Sequence, residues 1–348
     1  MEYRQLGNTD EKLSIIGLGT MTWGEQNTQA EAFEQMDYAL DAGVNFFDTA
    51  EMYPVPPKKE TYTKTESIIG EWFKANPSKR DKVFLASKIA GPSRLGDYIR
   101  DGQLHFNRDN LEKALHASLK RLNTDYLDLY QLHWPDRNTN CFGVLGYEYP
   151  EQSQDNVPLL ETLQILNEFV EQGKIKHIGL SNETPWGVMH ALHQAELHNL
   201  PRVVSVQNPY NLLNRSYEVG LAEVSHRENI GLLAYSPLAF GMLTGKYRDG
   251  ARPEKARLTL FDRFSRYTNP QAQLATEMYL TLADDFGVSP VDIALSYVNS
   301  RPFVASNIIG ATTMEQLKQN IASVDFNLTQ EMLERIQAIH QAISNPAP

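Results

Sequence analysis

The chain of 348 residues carries 43 acidic against 32 basic side chains, a formal net charge of −11, with 41% hydrophobic and 22% charged residues and a mean hydropathy of −0.43. That length supports a sizeable hydrophobic core, and the ordinary composition excludes collagen, coiled coil and wholesale disorder. The negative balance excludes a surface-wide basic footprint for nucleic acid, and no apolar run approaches the roughly 18 to 20 residues that span a bilayer, so a cytoplasmic protein without nucleic-acid or membrane partners is expected.

In chain order, residues 2–6 and 11–15 are strand-like pieces around a Gly7-Asn8 turn signal, a small hairpin. Eight further β-type segments follow at roughly 13–19, 45–49, 83–88, 127–132, 175–180, 203–207, 231–235 and 305–309. Helix-length amphipathic stretches lie at 28–42, 64–75, 108–122, 158–172, 184–198, 216–229, 289–300 and 313–322, with a last one at 329–342. Asn107 before 108–122, Gly43 after the first and Gly173 after 158–172 act as helix boundary signals. The stretch 108–122 sets Leu111, Ala114, Leu115, Leu119 and Leu122 on one stripe, as a helix covering a sheet requires.

Eight strand-then-helix units predict an α/β fold, a (β/α)₈ TIM barrel with the N-terminal β-hairpin plugging its bottom. The first βα turn, Gly17-Leu18-Gly19, lacks the full GxGxxG fingerprint of an open dinucleotide-binding sheet. No repeat, low-complexity tract or linker divides the chain, so residues 1–348 are expected to form a single domain. Four long connections, 50–62, 89–106, 133–157 and 236–268, all follow strands and therefore rise from the C-terminal face, where barrels of this kind build their sites.

The strand ends carry the chemistry. They present Asp48 with Tyr53 on the following loop, then Lys88, His133, Ser181 with Asn182, and Gln207. Each alone has a structural explanation: a turn satisfied by Asp48, a packed Tyr53 beside Pro54, an ordinary ion pair for Lys88, or one of nine histidines for His133. Together at one apolar mouth they would be costly without partners and a purpose. Hydride addition to a carbonyl needs that combination. The alkoxide oxygen takes a proton from a general acid; a Lys ammonium beside a Tyr favours the phenolate, a carboxylate holds the Lys, and a His orients the carbonyl.

By alternation the strand in "VNFFDTAEMY" (44–53) buries Phe46 or Phe47, while Glu51 either caps the next turn or faces solvent. Trp134, Phe142, Tyr147 and Tyr149 of the 133–157 loop, with Met21 and Trp23, are candidates to wall an aromatic-lined pocket. Lys246, Arg248, Arg252, Lys255 and Arg257 form a local basic excess suited to phosphate. Gly310-Ala311-Thr312-Thr313 opens a helix whose free N–H groups suit phosphate, or else Thr313 and Gln316 form a capping box. The one cysteine, Cys141, excludes an intrachain disulfide and a Cys-rich zinc site, and reads as a loop or packing residue. The other histidines show no ligand spacing, so no metal is expected.

"GLGTM" (17–21), "DTAEMY" (48–53), "ASK" (86–88), "QLHWP" (131–135), "GLSN" (179–182), "QNPYN" (207–211), "YSPLAFGMLTGKY" (235–247) and "IIGATTMEQLKQN" (308–320) resemble the aldo-keto reductases, in family order across the whole chain. With "MTWGEQN" and "AEMYPVPP" the likeness is to the bacterial Tas-type branch, near the potassium-channel β subunits. The resemblance implies an NADPH-dependent oxidoreductase reducing the carbonyl of a small aldehyde or ketone. It makes Asp48, Tyr53, Lys88 and His133 a catalytic tetrad with Tyr53 as general acid. It implies NADP(H) contacts from Gly19, Thr20, Met21, Asp48, Ser181, Asn182, Gln207, Tyr235, Ser236, Leu238, Gly241, Lys246, Arg257, Gly310, Thr312, Gln316 and Asn320. Gln316 stands where many members have an Arg for the 2′-phosphate; Lys246 and Arg257 fall where the channel-β-like branch places its gripping cations. The alternative function is a cofactor-binding, redox-sensing regulatory subunit with little turnover.

Overall fold

A computed structural model of the chain describes residues 1–92, 97–149 and 157–348. The first two strands stand apart from the rest. β1 (Tyr3–Gln5) and β2 (Lys12–Ser14) pair antiparallel, Tyr3 opposite Ser14, as the turn signal between them requires.

The other eight are β3 (Ile16–Gly19), β4 (Phe46–Asp48), β5 (Phe84–Ile89), β6 (Leu127–Leu132), β7 (Ile175–Ser181), β8 (Val203–Pro209), β9 (Gly231–Tyr235) and β10 (Val304–Ile309). They close into a barrel in that order, with β10 pairing β3, and every pairing is parallel. The expected (β/α)₈ barrel is therefore what the chain forms. Leu6 and Leu13 of the hairpin join Phe46, Phe84, Leu129, Leu233 and Ile308 in one buried cluster inside the barrel, so the hairpin is its floor.

Both Phe46 and Phe47 are buried, on opposite faces. Phe46 fills the interior, and a Cβ at Gly17 would stand 2.6 Å from its ring, which explains a glycine there. Phe47 points outward onto Trp72, ring centroids 5.9 Å apart, in the layer between barrel and helices. Each such burial is worth about 1.5–3 kcal/mol. The pair anchors the short strand that delivers Asp48.

Around the barrel run α1 (Gln29–Asp41), α2 (Lys64–Ala75), α3 (Arg108–Leu122), α4 (Leu159–Glu171), α5 (Pro185–Leu197), α6 (Leu221–Glu228), α7 (Arg257–Leu260), α8 (Pro270–Phe286), α9 (Pro290–Asn299), α10 (Met314–Ala322) and α11 (Gln330–Ala342). α3 begins with the Asn107 side chain accepting from the Asn110 N–H and buries the expected stripe. The expected helix over 216–229 is two pieces, a 3₁₀ turn at Ser216–Val219 and α6, because Gly220 between them sits at φ −145°, ψ −46°, off the helical path. α8 has no counterpart in the sequence reading. Within the connection 236–268, Ala239–Thr244 forms a 3₁₀ turn and α7 a single turn. Of the connections 89–106 and 133–157, residues 93–96 and 150–156 lie outside the described residues.

Candidate active site

The polar strand ends meet at the C-terminal face. Lys88 Nζ donates to Asp48 Oδ2 at 2.7 Å and to the Thr49 carbonyl at 2.7 Å, with the lysine wholly buried. Asp48 Oδ1 accepts from Gln207 Nε2 at 2.8 Å and Gln131 Nε2 at 3.3 Å. Four strands, β4, β5, β6 and β8, thus tie themselves to one carboxylate. Gln131 was not foreseen; the signal was a polar side chain in the otherwise apolar end of "LDLYQL".

Tyr53 stands on the loop above, its ring 5.1 Å from Lys88 Nζ and edge-on to the His133 ring at 5.8 Å. Burial pushes its phenol well above 10.0, the Asp48 charge and Tyr235 push the same way, and Arg257 opposes them. The lowering expected from a neighbouring ammonium is not what this environment produces. Lys88 is neutralised by Asp48, and loss of water outweighs the rest. Tyr53 therefore keeps its proton at neutral pH.

His133 is held with its backbone carbonyl accepting from Asn182 Nδ2 at 2.9 Å and its N–H donating to the Ile89 carbonyl at 3.1 Å. Its Nδ1 is buried without a hydrogen-bond partner, and burial, helped by Lys88, holds its pKa well below 6.5. A pH dependence follows. Below pH 6.5 an unfolded His133 takes up a proton that the folded one refuses, so stability falls with pH down to the folded pKa. The slope from this group is at most about 1.4 kcal/mol per pH unit. Urea unfolding of the wild type and His133→Gln between pH 5 and 7.5 checks this, and the variant should show the shallower acid slope.

Glu51 neither caps the next turn nor faces solvent. It is buried, with Oε2 accepting from Arg100 Nη1 at 2.6 Å and Oε1 from Arg100 Nη2 at 2.9 Å and the Ala90 N–H at 2.6 Å. Its own N–H donates to the Lys88 carbonyl at 3.1 Å. The loop carrying Tyr53 is thereby clamped to the end of β5. A charged residue two positions from a strand end and next to apolar Ala50 and Met52 was the available hint.

Above this floor opens a cleft of about 1190 Å³. Of the catalytic candidates, Asp48, Tyr53 and His133 line it and Lys88 lies beneath. All the cofactor candidates line it: Gly19, Thr20, Met21, Asp48, Ser181, Asn182, Gln207, Tyr235, Ser236, Leu238, Gly241, Lys246, Arg257, Gly310, Thr312, Gln316 and Asn320. Trp134 and Phe142 form part of the wall, ring centroids 5.8 Å apart, with Trp134 4.9 Å from His133. Trp23 does not; it is a core residue donating to Gln35 Oε1 at 2.9 Å. Tyr147 and Tyr149 face outward, Tyr149 95% exposed. The tail Pro346–Pro348 also lines the cleft, held where Asn269 Nδ2 donates to the Pro346 carbonyl at 2.8 Å and the Ala347 N–H to the Leu213 carbonyl at 3.1 Å.

At β7 to β9, Ser181 Oγ donates to the Gln207 carbonyl at 2.9 Å and Tyr235 O–H to Asn182 Oδ1 at 2.6 Å. Burial raises the Tyr235 phenol to about 12 against the opposing Arg266. Lys246 and Arg257 have no carboxylate within ion-pair distance among the described residues. Burial and the Arg257 charge both hold the Lys246 pKa below 10.5. Arg248 faces elsewhere, paired with Glu277 at 3.0 Å and Asp284 at 2.8 Å, and Arg252 lies outside the cleft, whereas Lys255 lines its rim. At the start of α10 the Gln316 N–H donates to Thr313 Oγ1 at 3.3 Å, while Gln316 Oε1 accepts from the Thr312 N–H at 3.0 Å. Helix capping is thus present, shifted by one residue from a capping box, on residues that also line the cleft. Among the described residues no three His, Cys, Asp or Glu side chains converge where a metal ion could be held, and no helix is long and apolar enough to cross a membrane.

Comparison with known proteins follows the same line. The Aldo/keto reductase family profile matches residues 15–341. Protein tas of Escherichia coli is 53% identical over 349 aligned residues, covering 100% of both chains. The uncharacterized oxidoreductase YrpG of Bacillus subtilis is 32% identical, covering 100% of this chain and 98% of its own. A putative voltage-gated potassium channel subunit beta of Schizosaccharomyces pombe is 30% identical, covering 97% of this chain and 92% of its own. A match running from the edge of the first barrel strand into the last helix, on a closed eight-stranded barrel, carries a single conclusion: this chain belongs to the aldo/keto reductase family of oxidoreductases.

Proposed function

We propose that the chain is an NADPH-dependent oxidoreductase reducing the carbonyl group of small aldehydes or ketones to alcohols, with Tyr53 as general acid. The observation that carries this reading is the fully buried Lys88–Asp48 pair set directly beneath Tyr53 and His133 at the floor of a cleft of dinucleotide size. A buried pair in an apolar mouth adds little net stability over a hydrophobic replacement, so its place there calls for a task.

The residues fit the cofactor at both ends. Lys246 and Arg257, cations in the cleft without carboxylates, suit the phosphates, the 2′-phosphate included. Gly310, Thr312, Gln316 and Asn320 add polar edges at the α10 end, and Gly19, Thr20 and Met21 line the β3 end. Ser181 and Asn182 suit the nicotinamide carboxamide; Gln207, its amide nitrogen engaged by Asp48, offers its oxygen. Tyr235 presents a ring to the nicotinamide, with Ser236, Leu238 and Gly241 beside it. When bound, NADPH supplies the hydride. Tyr53 donates its proton to the carbonyl oxygen, neutral His133 holds that oxygen through an N–H, and Lys88 steadies the phenolate left behind.

Purified chain mixed with NADPH or NADH and a panel of aldehydes tests the reading. Reduced cofactor should disappear only when a carbonyl is present, and NADPH should bind about tenfold or more tighter than NADH, the increment of one charge-assisted phosphate contact. Tight NADPH binding without turnover on any carbonyl would sink it in favour of the regulatory-subunit reading, which the likeness to a potassium channel subunit beta keeps open.

A further inference from the structure

One strong cation of the cleft, Arg266, is used neither by cofactor phosphates nor by proton transfer. Its guanidinium has no carboxylate within ion-pair distance among the described residues, and its Nη1 is buried without a hydrogen-bond partner. It sits beside the phenols of Tyr235 and Tyr267. A Cβ built at Gly143 would lie 3.2 Å from Arg266 Nε, so the guanidinium also abuts the turn carrying Phe142. That turn continues into the aromatic wall of Phe142 and Trp134 and from there to His133. Arg266 therefore belongs to the side of the cleft where a substrate would lie.

The charge balance points the same way. Lys246, Lys255, Arg257, Arg263 and Arg266 line the cleft, against the exposed Glu315, the carboxyl group of Pro348, which shares the Gly143 neighbourhood with Arg266, and an Asp48 already neutralised by Lys88. In a chain of net charge −11 this local excess is opposite in sign to the whole. Assigning Lys246 and Arg257 to cofactor phosphates still leaves Arg266 supported only by the Tyr235 and Tyr267 phenols, with its buried Nη1 unpartnered and no carboxylate within ion-pair distance among the described residues, a donor that an incoming anion can take up.

Resting on the carbonyl-reductase reading above, we propose that Arg266 is a specificity-determining residue that selects substrates bearing a carboxylate, an aromatic aldehyde acid being the class that fits its position beside Trp134 and Phe142. The guanidinium fork pairs with the carboxylate in two parallel hydrogen bonds while the ring lies on the aromatic wall.

The test compares 4-formylbenzoate with its neutral isostere 4-formylbenzamide. The wild type should favour the acid in kcat/KM by about tenfold or more, mainly through KM, as one charge-assisted pair allows. Arg266→Gln, which keeps a donor for the tyrosines, should collapse that ratio, and Arg266→Lys should retain part of it. An acid-to-amide ratio that is near one in the wild type, or unchanged in Arg266→Gln, overturns the proposal even if both aldehydes are reduced, in which case carbonyl reduction itself stands. If neither aldehyde is reduced, calorimetric titration with 4-methylbenzoate and 4-methylbenzamide, with and without NADP⁺, decides the matter. Preferential benzoate binding that Arg266→Gln abolishes supports the anion site, and equal binding refutes it.

Discussion

Tyr53→Phe is expected to lower kcat for carbonyl reduction about 10²- to 10⁴-fold, the usual contribution of a positioned general acid. The substitution removes only a hydroxyl and keeps the ring that packs against His133 and lies over Lys88. Cofactor affinity should hardly change, since Tyr53 is one aromatic edge in a cleft with many contacts. The loss should therefore appear in kcat and kcat/KM together, as for an interaction made in the transition state. Steady-state assays following reduced nicotinamide, alongside direct titration of NADPH, separate the two quantities. An unchanged kcat in Tyr53→Phe removes Tyr53 from the chemistry and leaves His133 as the remaining donor at the cleft floor.

Lys88→Met should cost about 3–5 kcal/mol of folding stability, because it strands the almost wholly buried Asp48 carboxylate at the cleft floor without a counter-charge. The Gln207 and Gln131 amides remain to hold the carboxylate but bring no counter-charge. Asp48→Asn should be costly for the mirror reason, leaving an ammonium whose pKa burial already depresses and only Asp48 and Glu66 support. The informative variant is the double one. Asp48→Asn with Lys88→Met removes both charges and should recover much of the loss in urea unfolding, while activity stays abolished. Recovery of stability without recovery of turnover would separate the architectural part of the pair from its chemical part.

Much of this was legible in the sequence, for physical reasons. Barrel strands buried on both faces appear as short apolar runs between turn residues, so seven were visible within a residue or two, the first being drawn three residues too long because it ran into hairpin strand β2, and the side chain ending each run sits at the mouth by construction. The cofactor candidates gathered in one cleft because they too follow strand ends. What escaped depended on weak local periodicity, on partners distant in sequence or on burial. α8 was missed although Asn269-Pro270 and Gly287 mark its ends; the first half of its buried face is Ala272, Ala275 and Thr276, small side chains that weaken the periodic signal, and the large Tyr279, Leu280 and Leu282 come only in the second half. Gln131 and Glu51 find their partners 83 and 49 positions away, which no local pattern announces. Trp23 looked like a pocket wall from its place on a loop, yet a fully buried indole needs a partner for its N–H and found Gln35 in α1. The shift on Tyr53 likewise came from burial, which only the assembled cleft reveals.

The Glu51–Arg100 clamp bears on how such a barrel can be re-engineered. Barrel enzymes are commonly treated as a fixed cage with interchangeable loops, each βα loop a separate cassette. Here the loop after β4 carries the carboxylate and the loop after β5 the guanidinium, and the same carboxylate takes the Ala90 amide at the root of that second loop. Grafting either loop alone from another barrel would bury half an ion pair next to Tyr53. The two segments form one transplantable unit, and lineage variation in this corner of the cleft should be sought in matched exchanges of both.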